Sequence, residues 1–151
     1  MKKGIVLLTV FLLLGFSDAQ SPDITLKATK IQPLGPDKCE VALELHNAAS
    51  QNLSYLGMYC SNSGFYVTDN PNVTVTPKPC GKNFPITLTV VRQSYRTMTL
   101  ELETRKNTKG AKFRIGFKLT EIPKGLAAKE LDTTLVKSVV VWSNAIEFKA
   151  R

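Results

Sequence analysis

Cys39, His46 and Asn47 are the residues of this chain that come closest to a reactive set: a thiol, an imidazole and a carboxamide on one short stretch. A thiolate becomes a nucleophile when an imidazole takes its proton and a carboxamide orients that imidazole. The stretch CEVALELHN, however, alternates apolar and polar residues and reads as a β-strand. Positions 39 and 46 have opposite parity, so their side chains leave opposite faces and do not meet. His46 is the one histidine in the sequence, so no other imidazole can serve. Glu101 and Glu103 raise a paired-carboxylate glycosidase. They are better used as partners of Lys112 and Arg114 on a solvated strand face. Asp69 and Asn70 stand apart from other carboxylates, and the cysteines have no CxxC spacing, so no metal cluster is legible. No glycine-rich phosphate loop occurs either. The expectation is a protein that is not an enzyme and takes no metal or cofactor.

The three cysteines, at 39, 60 and 80, do a different kind of chemistry. In an oxidising compartment they form one disulfide and leave one thiol. Cys39 shares its face with Val41, Leu43 and Leu45 and is expected in the core, where a thiol behaves as a small hydrophobe. Cys60 and Cys80 lie at the edges of a polar, Asn- and Pro-rich loop, so Cys60–Cys80 is the expected bridge. Closing that loop should contribute about 3 kcal/mol on the chain-entropy argument. Tyr55, Tyr59, Phe65 and Tyr66 cluster around its start and form the candidate binding surface. Exposed rings there could stack on sugars or anchor a protein partner. The competing reading, which weighs more in a small β domain, is that they cover the sandwich. Two rings exposed and coplanar would mark a glycan platform.

The N-terminus sets the compartment. Lys2 and Lys3, the apolar run Ile5 to Leu14 and the small residues Ser17 and Ala19 describe a secretory signal peptide over residues 1–19. The run falls short of the roughly 20 apolar residues a bilayer span needs. No stable membrane anchor is therefore expected after cleavage. Residues 20–151 make one domain with a sizeable core. Without Lys2, Lys3 and Asp18 the chain keeps 18 basic and 11 acidic side chains, a net charge of +7. In an exported protein that excess points to anionic surfaces, glycans or solubility rather than to nucleic acid.

The elements are short strands. Ile24 to Ile31 is the first, and Pro33 to Asp37 breaks it. Cys39 to Leu45 with Leu53 to Cys60 suggests a hairpin-like unit around a polar turn, Asn47 to Asn52. Phe65 to Thr68, Val73 to Val75 and Ile86 to Val91 are further strands. Met98, Leu100 and Leu102 form one apolar face, and Phe113, Ile115, Phe117 and Leu119 another. An antiparallel hairpin pairing Leu102 with Phe113 and Leu100 with Ile115 also sets Glu103 against Lys112 and Glu101 against Arg114. That register is the expectation. Leu126 to Leu131 suggests a turn or two of helix. The last strand, Ser138 to Lys149, shows Val140, Trp142, Ile146 and Phe148 inward, with a bulge or break at Asn144.

Seven to eight such strands with turn signals between them read as an all-β, immunoglobulin-like antiparallel sandwich. At LSYLGMYC, CGKNFPITLTV, FRIGFKL and VVVWSNAIEF the sequence resembles uncharacterised exported single-domain immunoglobulin-like proteins of Bacteroidota-type bacteria. The resemblance runs from about Cys39 to Phe148 and agrees with the Cys60–Cys80 bridge. It implies a bacterial, periplasmic or extracellular protein and carries no activity or cofactor. Cys39 lies outside its pattern. The expected function is a non-enzymatic binding domain, with an unknown protein or glycan at the cell envelope as partner. A proteinase inhibitor of the same fold and a glycan-binding module are the alternatives. An extended loop at residues 61–72 would favour the inhibitor, and a bare strand edge would favour binding by strand addition.

Overall fold

A computed structural model describes residues 23–105, 110–132 and 136–148. The signal peptide expected over residues 1–19 lies outside them. The early strands are β1 (Ile24–Pro33), β2 (Lys38–Asn47), β3 (Leu53–Met58), β4 (Tyr66–Thr68) and β5 (Val73–Val75). The later ones are β6 (Pro85–Val90), β7 (Ser94–Thr104), β8 (Lys112–Phe113), β9 (Ile115–Leu119), β10 (Val139–Trp142) and β11 (Ile146–Glu147). The helical turn expected between Leu126 and Leu131 is one 3-10 turn, Ala128–Glu130.

One layer is the antiparallel sheet β1-β2-β7-β5, the order of the A-B-E-D sheet in immunoglobulin domains. Alternation builds it: Cys39, Val41, Leu43 and Leu45 are fully buried, while Lys38 and Glu40 face water. β1 pairs with β2 along its length, with a register shift at Thr29. The other layer carries β10-β9-β4, β11-β8 and β3-β6. Only Arg114 separates β8 from β9, so they run as one interrupted strand. β3 joins the chain beyond β9 through Leu56 N–H to Thr120 O and Ile122 N–H to Ser54 O, both 2.9 Å. The inner faces close on a core centred on Leu43, Leu45, Leu102, Ile115 and Phe117. This is an all-β sandwich.

Three expectations about pairing are corrected. β7 does not form a hairpin with β8 and β9: it pairs with β2 and β5, and the following strands belong to the opposite layer. Leu100 and Leu102 do meet the cluster of Phe113, Ile115 and Phe117, but across the core instead of side by side. The charges find other partners. Glu101 takes Lys38 at 3.3 Å, Arg114 takes Asp69 at 2.8 Å, and Lys112 lies opposite Glu147. The hairpin of Cys39–Cys60 is likewise absent, because β2 and β3 sit in different sheets and the Asn47–Asn52 segment crosses between them. Finally, Val141 and not Val140 or Trp142 is the buried residue of β10. The break over residues 143–145 then changes parity, so Phe148 returns to the core. Trp142 packs on the outer side over Gly116, where an added Cβ would lie 3.0 Å from the indole and 2.7 Å from Val140.

Candidate functional site

The Cys60–Cys80 bridge is present, with Cα atoms 6.0 Å apart. It closes the end of β3 onto the approach to β6, and Asn83 reinforces it. The Asn83 Oδ1 accepts from the N–H groups of Cys60 and Ser61 at 3.2 and 3.3 Å, and its Nδ2 donates to Ser61 O at 3.0 Å. β3 and β6 pair with Met58 opposite Pro85, and one residue further on Tyr59 N–H donates to Phe84 O at 3.0 Å. Their rings consequently stack, with centroids 4.8 Å apart and 10° between planes. Tyr59 is 66% exposed and Phe84 49%. The bridge marks an oxidising, non-cytoplasmic setting. No helix among the described residues is long and apolar enough to cross a membrane.

The candidate aromatic set divides here. Tyr55 and Tyr66 are buried and contact Phe117, and Phe65 is half-buried against it. These three cover the core. Tyr59 alone of the four is exposed, and its companion, Phe84, was not among the candidates. The signal for Phe84 lies in the register: once β3 pairs with β6, the residues flanking the two cysteines face each other.

Behind the stapled loop a cavity of about 220 Å³ opens between the layers. Its apolar wall is Leu88, Met98, Leu100 and Phe117, and residues 60–63 border it. Two buried hydroxyls on it, Tyr55 Oη and Thr76 Oγ1, have no hydrogen-bond partner. A third, Tyr66 Oη, donates to Met98 Sδ, a weak acceptor. Lys78 and Arg96 line the same space. Arg96 lies opposite Leu45 with the parity of Met98, Leu100 and Leu102, and, being exposed, it stands where that face opens to solvent. Burial pushes the Tyr55 and Tyr66 hydroxyls up in pKa, and the Arg96 charge opposes the shift in both. Among the described residues no carboxylate lines the cavity or pairs with Arg96 or Lys78.

The cavity also adjoins an open strand edge. β5 covers β7 only from Leu102 to Thr104, and Thr76 N–H extends the contact to Glu101 O at 2.8 Å. Alternation turns the N–H and C=O of Thr99 and Thr97 to that same side. No strand among the described residues meets them there.

The residues that suggested catalysis are held apart. Cys39 is fully buried, and burial pushes its thiol up to about 11, so it stays protonated at neutral pH. His46 leaves the other face of β2, 3.0 Å from Glu44 Oε2 and stacked on Tyr95. Glu101 holds Lys38. Among the described residues no three Cys, His, Asp or Glu side chains gather as metal ligands.

No protein-family model matches the chain, and no curated protein matches its sequence. Among solved structures it is similar to a family 123 glycoside hydrolase from Clostridium perfringens, described for glycolipid glycan hydrolysis. The identity is 10% and the TM-score 0.35, over 85% of this chain and 27% of that one. The chain spans about a quarter of that enzyme's length, and so distant a likeness carries no chemistry across.

Proposed function

We propose that the protein is a non-enzymatic, exported binding domain that takes an extended segment of another protein onto the free edge of β7. The observation that carries this reading is the row of outward N–H and C=O groups at Thr97 and Thr99, beside β5 and unmatched by a strand among the described residues. A strand edge left open in this way is a template for main-chain pairing. The stapled loop lines the same cavity as Thr97 and Thr99 and would contact the flank of an added segment. The signal-peptide pattern and the disulfide support export, to the periplasm or beyond.

Less supports the alternatives. A glycan platform calls for coplanar rings side by side, whereas Tyr59 and Phe84 lie one over the other. An inhibitor loop calls for an extended, free segment, whereas residues 61–72 hold a 3-10 turn at Ser63–Phe65 and a strand paired with β9.

The test is a selection of short displayed peptides against the mature domain, followed by amide exchange on the complexes. Binders should slow exchange at Thr97 and Thr99. Thr99→Pro, which removes one outward donor at an edge that tolerates proline, should weaken them at least tenfold. Binders that leave both amides unprotected would overturn the reading, whether or not the proline variant folds.

A further inference from the structure

Four features of the cavity beneath the stapled loop are hard to account for as packing alone. Its Tyr55 and Thr76 hydroxyls are buried without partners. An unsatisfied buried hydroxyl is destabilising, so a fold usually supplies a partner or removes the group. Next to them the Tyr66 hydroxyl is spent on a thioether. On the same wall Arg96 has the parity of Met98, Leu100 and Leu102, and its exposed side chain lines the mouth of the cavity. Finally, Arg96 and Lys78 are matched there by no acidic side chain among the described residues.

We infer that this cavity is a binding site for a small organic acid: one carboxylate on an apolar body about the size of a single ring. A volume of about 220 Å³ exceeds the roughly 150 Å³ that accommodates benzene in an engineered apolar cavity, and leaves room for a short acidic arm. The apolar body lies against Leu88, Leu100 and Phe117. The carboxylate accepts from Tyr55 and Thr76 and faces the guanidinium of Arg96, whose planar fork suits a carboxylate better than a point charge does. Both orphaned hydroxyls become donors to an anion, and the cations acquire the counter-charge that the cavity lacks.

Small molecules test the site without any peptide, so its failure is separable from that of strand addition. The mature domain is titrated with 3-phenylpropionate, with the neutral 3-phenylpropanamide and with acetate, following backbone amide shifts. The acid should shift the amides of residues 96–100 and bind at least tenfold more tightly than either control, a difference of about 1.4 kcal/mol. Arg96→Gln should abolish the preference for acid over amide while retaining the fold. Tyr55→Phe should weaken the acid severalfold and stabilise the unliganded protein, because it deletes an unsatisfied buried group. Equal binding of acid and amide, equal binding of acetate, or no shifts around the cavity would each overturn the assignment.

Discussion

Asp69 grips Arg114 twice: one carboxylate oxygen accepts from the Arg114 backbone N–H at 2.7 Å and the other from its Nε at 2.8 Å. The pair ties the end of β4 to the one-residue interruption between β8 and β9. The guanidinium also lies 5.2 Å from the centre of the Trp142 ring, so a third strand joins the contact. Desolvation pushes the Asp69 carboxyl up, but the hydrogen bonds and charge of Arg114 outweigh it and hold the pKa below its ordinary 3.8. A carboxyl depressed on folding stabilises the fold above its unfolded pKa and loses that contribution as pH falls through the folded value. Asp69→Asn should therefore cost less than about 1 kcal/mol at pH 7, as befits a partly exposed pair. It should also flatten the loss of stability below pH about 4, where the wild-type carboxylate becomes protonated. Urea unfolding across that range checks both.

Phe117 is the ring on which the others converge. Tyr55 meets it edge-on at 5.6 Å, and Tyr66 lies 5.0 Å away. Phe117→Ala should destabilise the domain by about 3–5 kcal/mol, through lost burial and the cavity left behind. Phe117→Leu should cost clearly less. Chemical denaturation of the two variants measures the difference, and a Phe117→Leu loss close to zero would deny the aromatic contacts any special part.

The cysteines predict a simple thiol count. Native protein should give no reaction with a thiol reagent at pH 7, because Cys39 is enclosed and its thiol is held near 11. Denaturation without reductant should release one thiol, and denaturation with reductant three. Replacing Cys60 and Cys80 together by serine should lower stability by about 3 kcal/mol.

Gly116 is required by its neighbours. A methyl there would press on Val140 and Trp142, which cross the same face of the sheet. Gly116→Ala should cost about 1–3 kcal/mol as an overpacking change. Trp142→Ala in the same chain should relieve part of that loss, and a double-mutant cycle measures the coupling.

Alternation in the sequence showed which side chains turn inward. It held for Cys39 to Leu45 and for Phe113 to Leu119, because period-two burial is a local property of a strand. Partner choice is not local. The complementary patterns of β7 and β8–β9 are satisfied equally well by strands side by side and by strands facing each other across a core, and the sandwich uses the second. The same ambiguity hid Phe84, which is recognisable only after β3 is paired with β6. The bridge was legible because loop composition and the parity of Cys39 both left Cys60 and Cys80 as the pair. The cavity was not: its walls come from β3, β4, β6, β7 and β9, which no local pattern brings together.

The disulfide spans two strands that are already neighbours, so it welds one layer locally and leaves the layers themselves uncrosslinked. Pulled from its ends, the domain could come apart layer from layer with the bridge intact. Cys60 and Cys80 are 20 apart in sequence, and the residues between them would then stay out of the stretched chain. Fully extended, the oxidised protein would be shorter than the reduced one by about 70 Å. Reduction would thus change how far the unfolded tether reaches as well as how firmly the folded domain holds.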